Sequence, residues 1–308
     1  MPHIFRAAGS VQAAADMLGF LQDLPGRWQG NGFNLIARPA KQGDPANPIF
    51  FLELNATQET LEFTAIGGDI PNRGDIEPTR LLHGIHYLQT VVDCADGSFI
   101  HKEPGVWIHV PATSENTSET YVRLATIPHG DSLVAQSSFL LDKPGGPKID
   151  PVTTFPFPIG DPIPPLNDLE HAVLTSPNYL APYLNDPLPV ECLPSGLDPA
   201  TTIKDPTEVL RKQIQGQDIT NTIVIEITTS FPSPLTTSPV IQGIVNIPFV
   251  VANVNATQMD AIFWIEKITN PTLPDQDFLQ LQYVQRVILD FAGLHWPHVS
   301  VATLIKTG

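Results

Sequence analysis

From Trp28 onward the chain is a succession of strand-length apolar or alternating segments cut by turn residues, and that rhythm restricts it to antiparallel β structure. The first set of strands is read at about Arg27–Arg38, Ile49–Leu54, Thr60–Ile66, Leu82–Val92, Phe99–Val110, Thr120–Ile127 and Ser132–Leu141. Gly67-Gly68, Asp96-Gly97 and His129-Gly130-Asp131 punctuate them, residues that tolerate positive φ or bond their own backbone. A second set follows at about Asn221–Thr229, Ile244–Asn253, Met259–Thr269, Phe278–Asp290 and His298–Lys306. Roughly ten strands with hairpin-sized connections suit an all-β, antiparallel up-and-down barrel, which leaves no open edge.

Two segments break the rhythm. Ala7–Leu24 carries Val11, Ala14, Ala15, Leu18 and Leu21 at helical spacing, so a helix is expected ahead of the first strand, ended by Pro25-Gly26. Between Lys143 and Pro206 fall 15 of the chain's 32 prolines, which remove ladder donors and argue against regular pairing. Phe155, Phe157, Ile159, Ile163, Leu166 and Leu169 make the segment too apolar for a solvated linker. It is read as an ordered, extended insertion over 142–206 that wraps a single barrel domain, 24–141 being its first part and 207–308 its last. The alternative is a mobile Pro-rich loop. A short helix is expected near Thr207–Gln215.

A faint internal echo raises the question of duplication. Asn55-Ala-Thr-Gln58 recurs as Asn255-Ala-Thr-Gln258, Tyr87-Leu-Gln89 as Tyr283-Val-Gln285, and Trp107-Ile-His109 as Trp296-Pro-His298. An old pseudo-repeat and a barrel whose halves face similar constraints both account for it.

Composition narrows the partners. Acidic residues outnumber basic ones 32 to 16, a formal net charge of −16, so a nucleic-acid or anionic membrane surface is disfavoured. Two cysteines, Cys94 and Cys192, are too few for a disulfide framework or a four-cysteine metal site. No signal peptide and no membrane-spanning apolar run is read, so a cytoplasmic location is expected, and the Asn-x-Ser/Thr triplets at Asn55, Asn116 and Asn255 are taken as chance. Nucleotide-binding glycine loops, Gly-x-Ser-x-Gly and His-Glu-x-x-His are absent. His83 and His86, on opposite faces of one strand, are not ligands of a single metal.

Gly26-Arg-Trp28-Gln-Gly30-Asn-Gly32 fits the Gly-x-Trp-x-Gly-x-Gly signature of the nitrobindins, haem-binding β-barrels shaped like fatty-acid-binding proteins. Ile85-His-Tyr87-Leu-Gln89, Ile100-His101-Lys-Glu103-Pro-Gly105-Val-Trp107, Leu124-Ala125-Thr-Ile-Pro-His-Gly130 and Trp296-Pro297-His298-Val299 resemble further strands of that family in the same order. The resemblance covers about 24–140 and 220–308, and the Pro-rich insertion has no counterpart in it. It implies haem b as cofactor, with His298 as proximal iron ligand; a structural histidine is the alternative. Strand parity is compatible: Ser300 and Ala302 share the face of His298 and leave room beside it, while Val299 and Val301 would pack outward. The same resemblance makes His101, preceded by Ile100, a pocket-lining histidine across the haem. It also places Val287 and Ile288 near an apolar pocket position, plain core being the alternative; Trp28, a barrel-closing aromatic in either reading, is counted with them among the cofactor-binding residues. His86 has no family counterpart and is weighed as a second axial ligand or distal acid. Pro128-His129-Gly130 replaces a polar stretch of the family, so a pocket of different polarity is expected.

The implied function is binding of a small diatomic ligand such as nitric oxide, or haem-dependent isomerisation of peroxynitrite, which needs no general base. A non-enzymatic carrier of a small hydrophobic molecule is the alternative, and His298 discriminates between them. A third reading makes the insertion a surface for a partner or for homo-oligomerisation.

Overall fold

The computed structural model describes residues 17–40, 49–73, 79–113, 118–166, 177–231, 241–269 and 277–308. Ten antiparallel strands form a closed barrel. They are β1 (Gly26–Pro39), β2 (Phe50–Ala65), β3 (Arg80–Asp93), β4 (Phe99–Val110), β5 (Thr120–Ile127), β6 (Asp131–Pro144), β7 (Asp218–Thr228), β8 (Asn255–Thr269), β9 (Phe278–Phe291) and β10 (Leu294–Lys306). Each pairs with the next in sequence, and β1 closes on β10 with Trp28 opposite Lys306 and Leu35 opposite Val299.

Alternation along the strands fills the lumen. Trp28, Leu61, Phe63, Ile85, Tyr87, Trp107, Tyr121, Ile225, Phe263, Leu281 and Tyr283 meet in one buried cluster. At the lower end, where β1 begins and β10 ends, a 3-10 turn at Gly19–Leu21 packs Leu18, Leu21 and Leu24 into that cluster. The helix expected over Ala7–Leu24 lies mostly outside the described residues, and its described end is this turn rather than α-helix.

The insertion is ordered where described, and it continues to the start of β7. Its helices are α1 (Pro177–Asn185), α2 (Pro199–Lys204) and α3 (Thr207–Gln213). The expected helix at 207–215 is thus part of the insertion rather than of the barrel. Ile149, Val152, Tyr183, Ile203, Val209 and Leu210 form a second core with Phe33, Leu35, Trp264, Val284, Val299 and Val301 of the barrel's outer wall. Val299 and Val301 pack outward, as their parity required. Strand pairing inside the insertion is limited, among the described residues, to Phe157–Pro158 against Leu294–His295 and one isolated bridge between Ile159 and Asp161, in keeping with its proline content.

Two sequence expectations need correction. The segments Ile49–Leu54 and Thr60–Ile66 are one strand, β2, running unbroken through Asn55-Ala-Thr-Gln58. Ile244–Asn253 is not a single strand: Ile244–Asn246 pairs with β6, then Pro248 opens a short helix, α4 (Pro248–Val251), at a position proline favours. Cys94, after β3, is bonded to Cys192 in the insertion, a bridge spanning 98 residues. No described helix is long and apolar enough to cross a membrane.

The echo is not a structural two-fold. Trp107 lies in the lumen and Trp296 outside it, against Phe50, Tyr179 and Phe291. The two Tyr-x-Gln pairs do correspond, because both enter the same lumen and meet there.

Candidate functional site

Polar side chains line the lumen in two layers. In the middle layer Glu103, fully buried on β4, accepts from the Tyr87 hydroxyl and pairs with Arg123 on β5 at 2.5 Å. Arg123 Nε also donates to Tyr87 at 2.9 Å and Nη1 to Gln285 of β9 at 2.7 Å. Its guanidinium lies 5.5–6.0 Å from the Tyr87, Phe263 and Trp107 ring centres, an aromatic box suited to a cation. Burial would raise the Glu103 carboxyl, but Arg123 and the hydrogen bonds from His101 and Tyr87 carry it down to about 2. Beside this pair Glu59 of β2 accepts from Tyr283 at 2.7 Å, Gln89 at 3.1 Å and Thr57 at 3.0 Å. Burial without a cation of its own raises the Glu59 carboxyl. Gly32 makes this possible, since a Cβ there would collide with the Thr57 and Glu59 side chains and with the β10 backbone. The space left in this layer is a cavity of about 20 Å³, lined by Phe63, Tyr87, Gln89, Trp107, Arg123, Phe263, Tyr283 and Gln285. That is room for a water.

The upper layer, at the mouth, holds His298. Its Nε2 lies 2.7 Å from Asn34 Oδ1, which also accepts from Ser300 Oγ at 2.8 Å. Asn34 Nδ2 donates to Asn55 Oδ1 at 3.3 Å, and Asn55 Nδ2 donates to Asp93 Oδ2 at 2.8 Å. This chain has one polarity. The Asp93 carboxylate only accepts, so the Asn55 amide must turn its NH2 towards it, and Asn34 in turn presents its oxygen to His298. The proton therefore sits on Nε2, and the lone pair sits on Nδ1, which has no hydrogen bond to a described residue. Burial, together with the nearby His101 and His129, pushes His298 down to about 4, so the ring is neutral at ordinary pH.

His109 shows what a purely structural histidine looks like here. At the lower end it engages Met17 O at 2.8 Å and Glu119 at 3.0 Å, both nitrogens used, and stacks on Tyr121. His298 uses one.

The structure brings several expected residues together and separates others. His101, 3.4 Å from Glu103 Oε2, reaches the same mouth as His298, and its ring centre is 5.5 Å from that of His129. Val287 stands directly across from His298 in the β9–β10 register and packs against the lumen cluster, while Ile288, one residue on, takes the other face. Ile100 occupies an irregularity in the β3–β4 pairing, between Phe99 and His101, and is half-buried. Trp28 does not share this site: it is at the lower end, its Nε1 donating to Leu24 O at 2.7 Å and Lys306 over its ring. His86 points away from the lumen and is exposed, so it is neither a second axial ligand nor a distal acid. Among the described residues no three His, Cys, Asp or Glu side chains converge as a metal-binding set. Asn34, Asn55, Asp93 and Arg123 were not expected; their only sequence signal is polar residues at inward parity within apolar strands.

No protein-family model matches the chain, and no curated protein matches it. A solved structure of Rv2717c from M. tuberculosis superposes with TM-score 0.41 at 12% identity, over 98% of this chain and 100% of that one. A likeness of that degree carries no argument about function.

Proposed function

We propose that the chain binds haem at the mouth of the barrel, where His298 would hold its iron. The carrying observation is the one-sided bonding of a neutral His298, whose tautomer the Asp93–Asn55–Asn34 chain fixes and whose Nδ1 lone pair is left over. Metal-bound histidines are characteristically held through their other nitrogen in this way. The donor set fits an axial ligand. The lumen does not fit a macrocycle, because a cavity of about 20 Å³ lies below the mouth and the Glu103–Arg123 layer fills the rest. On this reading the group would sit at the mouth, beside His298, and not inside the barrel.

Bound there, haem would supply a coordination position for nitric oxide, another diatomic ligand or peroxynitrite, the chemistry that the sequence resemblance implies. Asn34 orients the His298 ring, Ser300 keeps its flank small, and Val287 covers it with apolar surface. His101 and His129 stand at the same mouth as hydrogen-bonding groups for a bound ligand. A lipophilic cargo carried in the lumen is the weaker reading, since typical small-molecule sites measure roughly 300–1,000 Å³ and the lumen cavity between the aromatic rings measures about 20 Å³.

The test is a visible absorption spectrum of the protein titrated with haem, beside His298→Ala and Asn34→Leu. The expected result is a Soret band in the wild type, lost or shifted in His298→Ala and broadened or weakened in Asn34→Leu. A missing band, or one indifferent to His298, overturns the proposal.

A further inference from the structure

A space much larger than the lumen cavity lies outside the barrel. A groove of about 430 Å³ runs between the insertion and the outer wall of β6, β7 and β8. Its volume is in the range of small-molecule sites. Strand register sets its floor in rows. Phe139, Glu226 and Ile262 stand side by side across the three strands, and Leu141, Val224 and Trp264 form the next row. Val152, Pro165 and Leu166 of the insertion form the facing wall. Phe139 is 46% exposed and Leu141 37%, so the apolar floor is open to the groove rather than covered by it.

Glu226 is the anomaly in that floor. Several other carboxylates buried in the barrel wall have partners: Glu103 has Arg123, Asp260 has Arg286 at 2.8 Å, and one oxygen of Glu266 accepts from Gln280 at 2.6 Å. Glu226 is half-buried between two apolar side chains, and its carboxyl makes no hydrogen bond or ion pair with a described residue. Burial and the facing Asp150 both raise it, the response of an acid that lacks a cation. The two lysines that line the groove do not supply one. Lys148 is paired with Asp150 at 2.9 Å, and Lys143 lies two rows away, opposite Thr222.

We propose that this groove is a second ligand site, for a small amphiphile with an apolar body and a cationic amine head. The body lies along Phe139, Leu141, Val152, Leu166 and Ile262, and the ammonium pairs with Glu226, with Asp150 as a second acceptor on the facing wall. The site exists only because the insertion roofs the outer wall, which gives that segment a role that does not depend on haem.

The probes are n-octylamine, octanol and octanoate, titrated by calorimetry and by the fluorescence of Trp264, which lines the groove and is 3% exposed. Octylamine should bind about tenfold or more tightly than octanol, and octanoate least. Glu226→Gln should remove the preference for octylamine and leave octanol unchanged. Leu166→Trp, which fills the groove from the insertion side, should weaken all three, with unchanged circular dichroism reporting an intact fold. The proposal is overturned if no probe binds, if octanoate binds as well as octylamine, or if Glu226→Gln keeps the preference. Because haem plays no part in these titrations, failure here leaves the His298 proposal standing, and the reverse holds.

Discussion

Arg123→Met removes the cation from the centre of the lumen while keeping an apolar chain among Tyr87, Trp107 and Phe263. Glu103, fully buried and then unpaired, is left with the Tyr87 hydroxyl and His101 at 3.4 Å. Breaking a buried pair from one side typically costs about 3–5 kcal/mol, a large share of the roughly 5–15 kcal/mol a whole domain has. Glu103→Gln strands Arg123 instead, with Tyr87 and Gln285 as its acceptors, and should cost about as much. Glu103→Leu with Arg123→Met removes both charges, and apolar replacement of a buried pair is often neutral, so the double variant should lie within about 2 kcal/mol of wild type. Urea denaturation at pH 7 gives the three values by linear extrapolation. The pH dependence adds a second check. Glu103 is held at about 2 in the fold against an unfolded value of about 4.3. Its contribution is therefore complete above that unfolded value and fades as pH falls towards 2, and the wild type should lose this increment in acid while the double variant does not. If either single variant costs under about 1 kcal/mol, or if the single costs simply add in the double, the lumen is not organised around this ion pair.

Three further outcomes follow from the same geometry. Reducing the Cys94–Cys192 bridge, or Cys192→Ser, frees a 98-residue loop in the unfolded chain and should lower stability by up to about 5 kcal/mol; unchanged urea midpoints with and without reductant would show the bridge is not formed in solution. Glu266, buried to about 7 with Gln280 as its hydrogen-bond donor, is charged at a cost in the fold, so stability falls as pH rises from about 4.5 to 7 and Glu266→Gln should gain up to about 3 kcal/mol at pH 8 and almost nothing at pH 4.5. A gain of equal size at both pH values would contradict this. His298, held at about 4, binds its proton more readily unfolded, so stability is lost as pH falls from about 6.5 to 4; the difference between wild type and His298→Gln should shift across that window by no more than about 3 kcal/mol, and a flat difference would refute a neutral His298.

The sequence and the structure agree where side-chain alternation is strong and local. Thr120–Ile127 has the boundaries that its pattern indicates, and Val299 and Val301 face the insertion because His298 and Ser300 face the lumen. The misplaced strand boundaries at β2 and β8 share a physical source. Asn55-Ala-Thr-Gln58 looks like a turn between two strands because its residues are polar, yet Asn55, Thr57 and Glu59 are the inward-facing positions of an unbroken β2. A lumen that buries a polar site needs polar residues at inward parity, and a single sequence gives those the signature of loops. The same confusion shortened β8, whose first residues are Asn255-Ala-Thr-Gln258. Long-range pairing is the other part that local pattern does not encode. Cys94 with Cys192, Arg123 with Gln285 and His298 with Asn34 join residues 98, 162 and 264 apart, and only the closed ring and the insertion folded against it bring them within reach. The site at the mouth was legible as one histidine on a closing strand. What turns that histidine from a satisfied core residue into a donor with a spare lone pair is the Asp93 carboxylate, acting through two asparagines on two other strands, and Asp93→Asn would release that constraint without touching the ring.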